Sequence, residues 1–308
     1  MTLNLVLNNN NVVSGSNNTR YRYKFNAPLE IMDEAEMTIA NITMPYSWFN
    51  ITKANSNNTF TFYFPNASTL TLTMPDGFYT AEDVSAYIQQ QCIANGCYLI
   101  DENGDNVYYF TILYNPTYYA VQIIAQLVPT ALPTNWTTPT GWVGFSATSY
   151  CPYIYIPPTS QFGKIIGYSS GGYYPPTNSA NASLLSTLVP QGSVVNSLII
   201  RSNIIDNDSG FPTDVLDTMP ITSSFGTNIN YTPTTLKWVK CTAGTFQAFD
   251  IFFSDQNLNS MFILDNNVCI SILLKNKGNK ILGNINGQEE TQGRSQKLVQ
   301  RLAIEPEK

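Results

Sequence analysis

The residues whose types and spacing could do chemistry are few. DENGDN at 101–106 sets Asp101, Asn103 and Asp105 at alternate positions, as a calcium-binding loop begins. The pattern then breaks, because an EF-hand requires Gly where Asn106 stands and a bidentate Glu where Ile112 stands. A polar hairpin turn accounts for the same residues. The run from Asp206 to Gly210, DNDSG, is weaker still and reads as a loop after a strand. Cys92 and Cys97 form no CxxC pair and read as packing residues. A glycosidase would need two carboxylates facing each other across a cleft, yet the acids fall mostly in evident turns and caps: Asp76, Asp83, Asp101, Asp105 and Asp208. No Walker loop, HExxH or GxGxxG before a helix occurs.

Composition narrows the field further. The 308 residues contain no histidine, and only 12% are charged, against about 25% in ordinary domains. Ser-His-Asp and Cys-His hydrolysis, His-ligated zinc or haem, and imidazole pH switching are thereby excluded. The expectation is a protein that is not an enzyme, with no catalytic residue, metal or cofactor. Its five cysteines are scattered, the N-terminal residues lack the pattern of a signal peptide, and no run approaches a membrane span. Synthesis in a reducing, intracellular compartment is expected.

The candidate binding residues are cationic or aromatic. TRYRYKF (19–25) alternates strictly, with Arg20, Arg22 and Lys24 on one face and Tyr21, Tyr23 and Phe25 on the other. The basic face could contact nucleic acid with the aromatics as stacking platforms. Alternatively, the aromatics enter a core while the cations meet solvent or carboxylates such as Glu30, Asp33, Glu34 and Glu36. Residues 1–274 carry a net −9 and residues 275–308 a net +3, so Lys275, Lys277, Lys280, Arg294, Lys297 and Arg301 form a basic tail suited to an inward, DNA-facing role. Trp136, Trp142 and Tyr173 lie in irregular segments and are candidates for exposed stacking.

The elements that must position these residues are strands. AEMTIANITM (35–44) changes phase near Ala40–Asn41, as a β-bulge would make it do. Phe60, Phe62 and Phe64, then Leu70, Leu72 and Met74, mark half-buried strands. One helix follows PDGFY, capped by Thr80 with Asp83 three residues on, with Val84, Tyr87, Ile88 and Cys92 on one face and Gly96 as the stop. VYYFTILY and YYAVQIIAQL form a hairpin. Further regular segments are QFGKIIGY (161–168), VVNSLIIRSNII (194–205), TLKWVKC (235–241), FQAFDIFF (246–253) and VCISILLK (268–275), with no βαβ rhythm. The reading is all-β: a single jelly roll, an antiparallel β-sandwich with one short helix. Residues 1–18 are expected as a flexible arm, 19–274 as the body with a loop-rich outer insertion around 128–160, and 275–308 as the tail, with a short helix around 295–304.

Several of these pieces, in this order, resemble the penton (vertex) capsid proteins of virophages and polinton-like double-stranded DNA viruses. They are NITMPYSWFNI (41–51), MPDGFYTAEDVSAYI (74–88), FGKIIGY (162–168), NSLIIRSNII (196–205) and FDIFFSDQNLNSMFILDNNVCISILLK (249–275). In the last, a strand ends in Ser254-Asp255-Gln256-Asn257 and the chain returns as the closing strand, with Val268, Ile270, Ile272 and Leu274 inward. The resemblance implies a structural virion protein, a homopentamer at the five-fold vertices of an icosahedral capsid, made in the host cytoplasm. Its implied partner is a double jelly-roll major capsid protein, with non-specific contact to packaged DNA and none to membrane. A β-sandwich receptor- or carbohydrate-binding module is the alternative.

Overall fold

Val268, Ile270, Ile272 and Leu274 are all buried in the computed structural model, which describes residues 2–67, 69–193 and 195–276. Three of them lie on β18 (Cys269–Lys275), a strand held antiparallel between β1 (Thr2–Leu7) and β3 (Glu36–Pro45). β15 (Asn228–Tyr231) and the short β16 (Val239–Lys240) also pair with β3, giving the sheet order β1-β18-β3-β15. A second antiparallel sheet runs β14 (Val215–Pro220), β13 (Ser197–Ser202), β17 (Gly244–Asp255), β2 (Arg20–Ile31). Each sheet has a buried apolar face, with Met37, Ile39 and Ile270 in one and Tyr21, Leu198, Ile200 and Ile251 in the other. β1 approaches β2 and β3 approaches β14, so the sheets cover each other.

Leaving β16 aside, the strands of this unit taken in chain order lie first, eighth, third, sixth in one sheet and second, seventh, fourth, fifth in the other. That is the order of a jelly roll. The expected bulge in β3 is present: the pairing passes from Asn41 opposite Ser271 to Ile39 opposite Ile272, skipping Ala40. The extra residue lets Met37, Ile39, Ile42 and Met44 all point inward.

The described residues fall into two compact units, one formed by the chain up to Tyr46 and from Ser197 onward, the other by Ser47–Asn196. The second unit contains β4 (Thr59–Tyr63), β5 (Leu70–Thr73), α1 (Ala81–Ala94), β6 (Leu99–Ile100), β7 (Asn106–Val107), β8 (Phe110–Asn115), β9 (Ala120–Ala125), β10 (Tyr153–Tyr155), α2 (Phe162–Ile166), β11 (Tyr173–Tyr174) and β12 (Ala182–Leu185). Its sheets run β11-β10-β4-β5, β12-β9-β8 and β6-β7. Phe60 stacks on Phe162 at 4.4 Å between centroids and Phe62 meets Phe110 edge-on in its core. α1 carries the expected capping box, with Asp83 N–H donating to Thr80 Oγ1 and Thr80 N–H to the Asp83 carboxylate. It packs on β8, where Ser85 Oγ accepts the Ile112 N–H.

Three expectations are corrected. Residues 2–7 are not a loose arm but strand β1, with Leu5 and Leu7 buried; the surrounding asparagines mask an alternation that only pairing with β18 rewards. The piece set apart from the jelly roll is not 128–160 but the whole of Ser47–Asn196, placed between the third and fourth strands of the jelly roll. Which core a strand joins is a non-local matter that strand periodicity does not report. FGKIIGY is not a strand but α2, ended by Gly167 at φ +76°, because one helical turn buries Phe162, Gly163, Ile165 and Ile166 together. The expected tail begins inside β18, which ends at Lys275, and from residue 277 on, including the expected 295–304 helix, it lies outside the described residues.

Candidate interaction surfaces

Because Arg20, Arg22 and Lys24 alternate with Tyr21, Tyr23 and Phe25, β2 turns its cations to the outer face of its sheet. The neighbouring strand supplies their counter-ion. Asp250 of β17, its side chain only 3% exposed, accepts Arg20 Nε at 2.9 Å and Nη2, Arg22 Nε at 2.7 Å and Nη2 at 2.9 Å. Burial alone would raise the Asp250 carboxyl, but the hydrogen bonds and charges of Arg22 and Arg20 outweigh it and hold the group below its usual value. Beside this cluster, Arg20 and Arg201 (β13) each lie 5.7 Å from the Phe252 ring centroid, and Arg201 forks onto Asp214 at 2.9 and 2.7 Å. The cations thus meet a carboxylate, but Asp250 rather than the Glu30–Glu36 group. Lys24 is exposed with no partner among the described residues, and Lys275 sits 3.4 Å from the Trp238 ring centroid. Lys277, Lys280, Arg294, Lys297 and Arg301 lie outside the described residues.

The aromatic candidates separate. Trp136 and Trp142 are not exposed platforms: both pack against the core of the Ser47–Asn196 unit, Trp142 edge-on to Phe64 and beside Phe145. Their large apolar rings are taken up by that core, even though the Trp142 Nε1 is buried there without a hydrogen-bond partner. Tyr173 is 50% exposed, and it joins a surface cluster in which Tyr63 stacks on Tyr153 at 4.6 Å and Tyr173 lies over Tyr155 at 4.7 Å. Sequence reasoning passed over Tyr63, Tyr153 and Tyr155. The signal was available, since each flanks an inward residue, Phe62 or Ile154, in an alternating run.

A cleft of about 610 Å³ in the same unit is lined by the start of α1, Tyr114, Tyr119, Ile165 and Val189. Its one charged lining residue, Glu82, accepts the Tyr114 N–H at 2.9 Å, so the lining offers apolar binding rather than paired acid–base groups. Asp101 closes the β6–β7 turn by accepting the Asp105 and Asn103 N–H groups, which, the Asp105 bond first, lowers its carboxyl below the ordinary value. The hairpin explains DENGDN. Among the described residues no group of three or more metal-ligating side chains gathers. Burial pushes the Cys92 thiol up to about 12 and Cys97 to about 11, which suits packing rather than redox work.

Neither the protein-family models nor the curated proteins contain a match to this sequence. Among solved structures, the chain is similar to the mavirus penton protein, at 10% identity and TM-score 0.45, covering 89% of this chain and 98% of that one. It is also similar to a chain of the Sputnik virophage structure, at 12% identity and TM-score 0.37, covering 89% and 97%.

Proposed function

We propose that the chain is a structural capsid protein: a single jelly-roll subunit that forms homopentamers at the five-fold vertices of an icosahedral virion and contacts a double jelly-roll major capsid protein there. The observation that carries this reading is the strand order of the discontinuous jelly roll, β1-β18-β3-β15 against β14-β13-β17-β2. The penton-like segments quoted above supply strands of that roll, among them β3, β13, β17 and β18. A jelly roll gathers its loops at two ends of a compact wedge, and wedges close into rings when one flank meets the opposite flank of the next copy. The role is assembly, with no turnover, in the virion after synthesis in host cytoplasm. No helix among the described residues is long and apolar enough to cross a membrane. Pairing of Arg20 and Arg22 with Asp250 favours a structural role for those two residues; the remaining cations of the basic set stay the proposed DNA contacts.

The test is native mass measurement with negative-stain imaging of the purified chain. Five-fold rings are expected; a monomer or trimer at all concentrations overturns the reading. The tyrosine cluster of Tyr63, Tyr153, Tyr155 and Tyr173 favours a second reading, a receptor- or glycan-binding module. Glycan-array binding lost in Tyr173→Ala, from a protein that is not pentameric, would establish it.

A further inference from the structure

Phe211 is 97% exposed, the most exposed of the large hydrophobic side chains among the described residues. The loop that carries it is nevertheless held in shape. Asn207 N–H donates to the Thr213 carbonyl at 2.7 Å and Asn207 Nδ2 to the Val215 carbonyl at 3.1 Å, while Gly210 N–H returns to the Asn207 carbonyl at 3.1 Å. An ordered loop that thrusts an aromatic ring into water presents an anchor, because such rings gain most when a partner's pocket removes them from solvent. The loop precedes β14, one edge of the β14-β13-β17-β2 sheet. Its charges, Asp206, Asp208 and Asp214, are all negative, Asp214 being paired with Arg201, and residues 203–214 contain no cation.

The opposite edge of that sheet is β2, which holds Arg20, Arg22 and Lys24. The chain's own Asn11–Val13 segment already lies along it, with Val12 bridging Tyr21, Val13 N–H donating to the Arg20 carbonyl and Asn11 Nδ2 to the Arg22 carbonyl, so what β2 offers a partner there is outward side chains rather than free backbone. Register places the two edges at one height. Arg20 pairs with Phe252 and Phe252 with Arg201, and β13 ends one residue later at Ser202. The loop therefore leaves the sheet towards the level of Arg22 and Lys24. Further along β2, Asn26, Ala27 and Pro28 are exposed, and Pro28 has no N–H to offer an added strand. Docking there is by side chains. Like edges would set Lys24 against Lys24 or Asp208 against Asp208, whereas unlike edges pair them.

We propose that the Asp206–Asp214 loop of one copy, anchored by Phe211, docks on the β2 edge around Lys24 of a second copy, a heterologous contact of the kind that closes rings. This deepens the capsid reading above and rests on it.

Sedimentation velocity would be run on the full chain and on Phe211→Ala, Lys24→Glu, Asp208→Lys and the Lys24→Glu/Asp208→Lys double reversal. Each single variant is expected to weaken ring assembly by at least about tenfold, and the double reversal to recover most of the loss. All three side chains are exposed, and neither Lys24 nor Asp208 has a partner among the described residues, so thermal midpoints should stay at the wild-type value. Rings at wild-type concentrations in Phe211→Ala and Lys24→Glu would overturn the proposal. Rings that form normally but fail to enter shells would also overturn it, by assigning the loop to the major capsid protein. A wild-type chain that never forms rings would instead sink the capsid reading itself.

Discussion

Asp250 is the residue on which the outer face of the β2 sheet turns, since one buried carboxylate holds two half-exposed guanidiniums in a fixed fork. Replacing it with Asn should cost about 1–3 kcal/mol of stability at neutral pH, less than for a fully buried pair because both arginines can still reach water. The folded carboxyl is depressed below the ordinary Asp value, so its contribution is present above that value and is lost as pH falls through the lower, folded one. Urea midpoints of wild type and Asp250→Asn should accordingly converge as pH is taken from 7 towards 3. Cysteine reactivity supplies a second check. Cys92, Cys97, Cys151 and Cys241 are buried with raised thiols, and Cys269 is exposed. Iodoacetamide at pH 8 should label Cys269 alone in the native protein, read by mass spectrometry, and all five cysteines after denaturation.

At the scale of elements, β1 is the sharpest departure from what its composition suggests. It caps the open edge of β18 and buries Leu5 and Leu7. Deleting residues 1–7 should therefore lower the thermal midpoint clearly, where loss of a loose arm would leave it unchanged. Helix α1 is the opposite case, since its cap, buried face and stop are all local. Thr80→Ala should cost about 1 kcal/mol in equilibrium unfolding. Gly96→Ala should cost more than that, because Gly96 sits at φ +62° and an added Cβ would run into the Gly141 carbonyl.

For the whole molecule, the missing histidines set the acid response. If shells built with this chain loosen in acid, carboxylates must be the sensors within it, and the transition belongs below about pH 5. Light scattering of assembled shells against pH would read this, and a midpoint near 6.5 would point to another protein or to carboxylates with unusually raised pKa values. The low charge of the body suits the broad flank contacts proposed for a ring, where Lys and Glu are depleted and aromatics enriched.

Local physics was legible in the sequence because it acts over a few residues. The strand of TRYRYKF, the phase slip at Ala40, the Thr80 capping box and the inward set on β18 all follow from side-chain period and from backbone groups within reach. Tertiary structure decided what depends on distant partners. It assigned Asp250 rather than the Glu30–Glu36 group to the arginines, because the partner arrives on a strand 228 residues away. It turned residues 2–7 into a strand, because an edge strand is stable only once β18 exists to pair with it. It gave residues 47–196 a core of their own, and so sent Trp136 and Trp142 inward and left Tyr63, Tyr153 and Tyr155 beside Tyr173 at the surface. Alternation states that a residue has an inside and an outside, but only the assembled sheets determine which core is the inside.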